Sequence, residues 1–329
     1  MTLKDVAHHS GVSKALASIV MRDAPGASAA TRERVLAAAR QLGYRPDLRA
    51  QSLAGQKSRI IGIMFGVGLG TFHFDLLEGL YSAARGHGHH LVLSPVTKGR
   101  DEAEAAESLR DFRFDGLIML GPATATPLLA GEVPMVVVGW QVDHPAVDVV
   151  RTSDDIGMAL AVDHLVELGH CRIAHIDGGD NLIAAARRRA FVLAMRRRGL
   201  GSQARVVPGG QTQIDGQRAA RRIVGERNLP TAVVAFNDDI AVAAMGLFAQ
   251  TRVDIPARLS VIGWDDSEAA ALSPVGLTSV AQRPELLAQT AVDRVVARIE
   301  QRRVEGREIV LQPELRLRQS TAVSFDRMS

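Results

Sequence analysis

TLKDVAHHSGVSKALASIVM, residues 2–21, reads as two short helices joined by a tight turn. Thr2 can cap the first helix, and Asp5, three residues on, supplies the reciprocal acceptor of a capping box. Leu3, Val6 and Ala7 then share one helical face. Gly11 tolerates the positive φ that the turn after Ser10 requires. Ser13 caps the second helix, whose Leu16, Ala17, Val20 and Met21 form an inward stripe. Lys14, Ala15, Ser18 and Ile19 are left facing out. Ser28 caps a third amphipathic run, with Val35, Ala39 and Leu42 on one face and Gly43 as its stop. Three such helices enclose a minimal core. The pattern predicts a helix-turn-helix whose second helix enters the major groove of DNA.

The charge supports a polyanionic partner for this part of the chain alone. Residues 1–60 carry ten Lys or Arg against four Asp or Glu, a net of +6. The chain as a whole is only +3, so residues 61–329 are net −3. A basic arm on a faintly acidic body points to double-stranded DNA as the partner of the arm.

Beyond Tyr44, Pro46 and Gly55 bracket about eight residues, suited to a short helix. Isolated helices shorter than roughly 12–15 residues are marginal in water. The segment is therefore expected to be a linker alone and a helix only when something holds it.

From Ile60 onward short apolar runs alternate with longer amphipathic stretches. The expected strands are 60–65, 90–94, 116–120, 135–138, 172–176, 205–208, 232–235 and 259–262, with helices between, including one over 156–168. Apolar strands separated by helices predict an α/β core of two doubly wound parallel-sheet subdomains. In such sheets ligands bind beyond the carboxyl ends of the strands. The residues there are Phe72, His73 and Phe74, Gly139-Trp140, Asp177-Gly178, Gly210-Gln211, Asn237-Asp238 and Trp264-Asp265-Asp266. Amides, carboxylates and aromatics at one structural level predict a hydroxyl-reading pocket. Singly, Asn and Asp more often cap helices; it is their recurrence that favours a site. Arg187–Arg189 and Arg196–Arg198 lie on one helix and are most simply its solvated face.

Other chemistry is poorly represented. Gly66, Gly68 and Gly70 follow a strand, but Thr71 stands where a dinucleotide fingerprint needs its third glycine. No Walker loop, G-x-S-x-G or H-E-x-x-H occurs, so no enzyme, metal or cofactor is expected. Cys171, the single cysteine, precedes an apolar strand and is expected to be a buried or partly buried structural thiol. No apolar run approaches about 18 residues and no signal-peptide core is seen, so a soluble, cytoplasmic chain without membrane association is expected.

These residues resemble the lactose/galactose repressor family. The signposts are Thr2-Leu3-Lys4-Asp5-Val6-Ala7, Gly11-Val12-Ser13, Thr31-Arg32-Glu33-Arg34-Val35, Leu42-Gly43-Tyr44, His164-Leu165 with Leu168-Gly169-His170, Asn237-Asp238, Gly263-Trp264-Asp265-Asp266 and Arg318-Gln319-Ser320-Thr321. The resemblance implies a headpiece over 1–45, a hinge helix over 46–58, and a core like a periplasmic sugar-binding protein. Its N-terminal subdomain would be 59–166 and 284–311 and its C-terminal subdomain 167–283 and 312–322, leaving 323–329 as a tail. It implies a homodimeric transcriptional regulator, a repressor, whose operator affinity a small carbohydrate-like effector controls. Carried over residue by residue, Thr2, Ser13, Lys14, Ala15, Ser18, Ile19, Ala50 and Leu53 are DNA contacts. Arg187, Asn237, Asp265 and Gln282 match effector contacts, with Phe72, His73 and Gln211 at ligand-dependent positions; Asp154-Asp155 resembles the family's Asp-Asp segment, of which Asp154 or Asp155 faces the cleft, and Trp140 rests on its strand end alone. Ile19 stands where the family has arginine, Gln51 where the hinge often has arginine, and Ala190 replaces a glycine. The chain stops soon after Thr321 without a leucine heptad, so no tetramer of the lactose-repressor type is expected. A solute-binding protein without DNA function and a nucleotide-dependent enzyme are the alternatives.

Overall fold

A computed structural model of the chain describes residues 1–21, 24–44, 58–66, 70–121, 129–272 and 276–324. Two compact units emerge, Met1–Ser58 and Arg59–Ser329. The expected hinge, with Ala50, Gln51 and Leu53, lies outside the described residues.

In the first unit, α1 (Leu3–Ser10), α2 (Lys14–Met21) and α3 (Ala29–Gln41) surround one small core. The capping box forms: the Thr2 N–H donates to Asp5 Oδ2 at 2.7 Å, and the Thr2 hydroxyl accepts from the Asp5 N–H. Gly11 turns the chain at φ 63°. Val6, Ala7, Ala17, Val20, Val35, Ala38 and Ala39 are buried together. Small side chains let three short helices approach closely enough to exclude water.

The second unit holds two six-stranded sheets. The first comprises β1 (Ile60–Gly66), β2 (His90–Val96), β3 (Gly116–Leu120), β4 (Met135–Val138), β5 (Val147–Thr152) and β11 (Glu308–Leu311), in the order β11-β5-β4-β3-β1-β2, all parallel. The second comprises β6 (Ile173–Ile176), β7 (Arg205–Val207), β8 (Ala232–Ala235), β9 (Ser260–Asp265), β10 (Thr278–Ala281) and β12 (Glu314–Arg316), in the order β12-β10-β9-β8-β6-β7. Only β12 runs antiparallel to its neighbour. Each sheet is covered on both faces, as continuous apolar strands require. In the first lobe α4 (Thr71–Gly86) and α11 (Pro284–Ile299) cover one face and α5 (Glu102–Arg110) the other. In the second, α8 (Gln213–Val224) and α9 (Asp238–Gln250) oppose α6 (Asp154–Glu167) and α7 (Leu182–Arg197).

The chain passes between lobes three times, after β5, after β10 and between β11 and β12. The first passage precedes α6, so the boundary expected at residue 166 moves to about 153. Met158, Ala161, Val162 and Leu165 of α6 are buried with Ala190, Phe191 and Trp264 of the second lobe. Gly157 is where this helix meets Trp264: a Cβ there would lie 2.4 Å from the indole ring.

Strands β5 and β10 escape an apolar reading because polar residues lie inside them. Asp148 in β5 is 2% exposed, yet Arg298 of α11 grips it through Nε at 2.7 Å and Nη2 at 2.9 Å. Such a bidentate pair makes a buried carboxylate tenable. Cys171 is exposed rather than buried, since the strand begins only at Ile173 and leaves it in the preceding turn.

His175 is the buried titratable group of β6. Its Nδ1–H donates to the Val234 carbonyl at 2.9 Å and its ring lies against Phe191. Burial pushes its pKa down from 6.5 to about 4. Below pH 6.5 the unfolded histidine takes up a proton that the folded one refuses, so stability is lost as pH falls. Relative to a His175→Gln variant, the native chain is expected to lose roughly 1.4 kcal/mol per pH unit between pH 6.5 and about 4. Urea denaturation of both proteins across that range checks this; parallel curves would mean the folded histidine is charged.

Candidate functional site

Between the lobes lies a cleft with about 710 Å³ of empty space, open to solvent. Seven of the nine residues expected to contact a ligand line it: Phe72, His73, Arg187, Gln211, Asn237, Asp265 and Gln282.

Arg187 reaches the cleft from α7 with little freedom left. Its Nε donates to Asp154 Oδ1 at 3.0 Å and its Nη1 to the Phe236 carbonyl at 2.6 Å. The guanidinium lies 4.3 Å from the Trp264 ring centroid and 4.7 Å from that of Phe236. It is therefore stacked, paired and aimed before any ligand arrives. Asp154 meets the arginine rather than the cleft, and its neighbour Asp155 is exposed. Burial raises the Asp154 carboxyl against the pull of Arg187.

Asp265 ends β9 with its backbone at φ 119°, followed by Asp266 at φ 56°. Two non-glycine residues in this region mark stored strain, which persists only where the surroundings enforce it. Gln282 Nε2 donates to Asp265 Oδ1 at 2.6 Å. Arg318 Nη2 donates to Asp266 Oδ1 at 2.6 Å, and Ser279 Oγ accepts from the Asp266 N–H at 3.0 Å. Below them Asp238 accepts from the Ser267 N–H, the Ser267 hydroxyl and the Ser279 hydroxyl at 2.7–2.9 Å. Burial pushes the Asp265 carboxyl well above its ordinary range, with Arg187 pulling it back.

Asn237 does what an isolated Asn commonly does: its Oδ1 caps α9 by accepting from the Ile240 N–H at 2.9 Å. Its amide nitrogen still faces the cleft and donates to the Gln211 carbonyl at 3.4 Å. Asn181, not anticipated as a contact, caps α7 in the same way and also lines the cleft. Its signal in the sequence is its place one turn and a half before Arg187. From the first lobe His73 presents an enclosed Nδ1 without a protein partner, and burial lowers its pKa to about 4. The imidazole is neutral at ordinary pH.

Trp140 does not line the cleft. It is 5% exposed and packs with Leu117, Met135 and Val137 on the α5 face of the first sheet. Gly139, at φ 108°, turns the chain so that Val138 and Gly139 line the cleft while the indole points away. Arg188, half-exposed, also pairs with the buried Asp177 just after β6, a partner not expected of the solvated face.

In the headpiece, Thr2, Ser13, Lys14 and Ala15 are exposed, while Ser18 and Ile19 are half-buried. The Ser13 hydroxyl accepts from the Leu16 N–H at 3.1 Å and so caps α2. Ile19 lies against the turn at Gly26, its Cγ2 3.8 Å from where a Cβ on that glycine would stand. Lys14 and Ala15 are thus the most open of the α2 residues expected to face DNA.

Comparison with known proteins agrees with both parts. Residues 2–47 match bacterial regulatory proteins of the lacI family, and residues 162–321 match a periplasmic binding protein-like domain. The HTH-type transcriptional repressor PurR of Photobacterium profundum is 28% identical over 328 residues, covering 97% of this chain and 98% of that protein. The ribose operon repressor of Escherichia coli (strain K12) is 30% identical over 323 residues, 95% of this chain and 98% of that one. The crystal structure of the lac repressor dimer bound to operator and the anti-inducer ONPF superposes with a TM-score of 0.85 at 30% identity, covering 98% of this chain and 99% of that chain. These relatives are repressors rather than enzymes, and no helix among the described residues is long and apolar enough to cross a membrane. With a capped helix-turn-helix ahead of a two-lobed ligand cleft, the chain belongs to the lacI family of bacterial regulatory proteins and is a DNA-binding transcriptional regulator.

Proposed function

We propose that this regulator is a cytoplasmic repressor that binds a near-palindromic operator as a homodimer and releases or tightens it when a small sugar enters the cleft. The observation that carries the effector half is the convergence of Arg187, Asn237, Asp265 and Gln282 on one wall. Fixed donors and acceptors of this kind read hydroxyl groups, because an analogue that lacks one leaves a buried polar group unpaired. A panel of carbohydrates tested by melting temperature and by operator binding checks it. The cognate sugar raises the melting temperature by linkage and changes operator affinity. An analogue lacking a ring hydroxyl does neither. A panel that leaves both quantities unmoved sinks the carbohydrate reading.

The DNA half has its own test. Operator affinity is expected to fall steeply with salt, since neutralised phosphates release counterions. The two recognition helices of a dimer would engage successive major grooves roughly 34–36 Å apart. Lys14→Ala is expected to weaken operator binding by about 1–3 kcal/mol and relax the preference at one base pair. Sequence selection from random duplexes reads this directly, and an unchanged binding logo places Lys14 away from the bases.

A further inference from the structure

The two walls of the cleft are chemically unlike. Among the described residues the first lobe contributes Phe72, Leu76, Leu120, Val138 and Leu287, with His73 as its one polar side chain. Strand β1 ends in Gly66, and β3 and β4 are each followed at once by Gly121 and Gly139. Among the described residues these three strand ends therefore present no polar side chain to a ligand. The second lobe also contributes Ile183 and Phe236, but it alone among the described residues supplies amides, a guanidinium and a carboxylate.

Charge narrows the ligand further. The charged groups of the lining are Arg187 and Asp265. Arg187 already has Asp154 at 3.0 Å, so an incoming anion finds no uncompensated cation and faces Asp265. Taking a phosphate or carboxylate out of water with no counter-charge is unfavourable. Among the described residues, a hydroxyl turned toward the first lobe loses water and finds only His73 to replace it.

We propose that the effector is an uncharged sugar with hydroxyl groups along the edge that meets the second lobe and an apolar terminus toward Phe72, Leu120 and Val138: a terminal-deoxy sugar, in preference to its hydroxymethyl, phosphorylated or acid counterpart. This rests on the carbohydrate reading above and specifies it.

The test is titration calorimetry of the full chain against aldohexoses and aldopentoses. Each configuration is offered as the free sugar, the terminal-deoxy sugar, the terminal phosphate and the terminal carboxylate. For the configuration that binds, the deoxy form is expected to bind at least tenfold tighter than the free sugar and the two anionic forms at least a hundredfold weaker. A free sugar tighter than its deoxy form, or an anionic form equal to the free sugar, overturns this proposal while the carbohydrate reading stands. Silence across all forms removes both. Asp154→Asn keeps a hydrogen-bond acceptor for Arg187 but frees its charge. With folding verified by melting, this variant is expected to gain at least tenfold for the anionic forms, and no gain overturns the charge argument.

Discussion

Arg187→Ala is expected to unfold the core more readily, by about 3–5 kcal/mol, and to abolish the effector response as well. The arginine is 5% exposed and is the partner of Asp154, whose carboxylate would be left enclosed without compensation. Removing one member of a buried pair is far more harmful than the net value of the pair, because the other charge remains. The rings of Phe236 and Trp264 would also lose the plane that fills the space between them. Loss of effector binding alone, which a simple ligand contact would show, is therefore not the expected phenotype. Urea denaturation beside calorimetry separates the two roles. A variant with undiminished stability and no ligand binding would reduce Arg187 to a contact residue.

Asp238→Ala is expected to cost about 3 kcal/mol or more, since it leaves the Ser267 N–H and the hydroxyls of Ser267 and Ser279 without their buried acceptor. Two of those donors belong to Ser267, the residue after the strained turn at Asp265 and Asp266, and the third, the Ser279 hydroxyl, also accepts from the Asp266 N–H. Once the acceptor is gone, the turn can relax toward ordinary backbone angles and carry the Asp265 carboxylate out of line. Ligand affinity should fall although Asp238 lines no part of the cleft. Asp238→Asn preserves an acceptor and should recover part of both losses. Equal damage from Ala and Asn would point to the negative charge, and not the hydrogen bonds, as what matters.

What could be read from the sequence was what local chemistry determines. The three headpiece helices were legible because Thr2, Ser13 and Ser28 cap them within four residues of the groups they satisfy. Five cleft residues, Phe72, His73, Gln211, Asn237 and Asp265, were legible at strand ends, whereas Arg187 and Gln282 came with the family resemblance. Strands β5 and β10 were not. The polar side chains inside them, Asp148 and the pair Thr278-Ser279, are satisfied by Arg298, Arg318 and Asp238, partners 150, 40 and 41 residues away. Trp140 was misplaced for a different reason: strand ends show which residues are near a cleft, but one glycine at positive φ decides which side of the sheet the next side chain takes. The apolar character of the first-lobe wall was equally hidden, because Leu76 and Leu287 reach it from helices far apart in the chain.

The three passages between the lobes bear on how such a regulator diversifies. Residues 1–58 form one uninterrupted unit, so recombination at a single junction can give the gene a new DNA reader and leave the sensor whole. No single junction does this for a lobe. A crossover near residue 153 would separate β1–β5 from α11 and β11, the elements that complete the first lobe. New operators can therefore be acquired by exchange, whereas new ligands have to be acquired by substitution, one side chain at a time, in a cleft that is never inherited in halves.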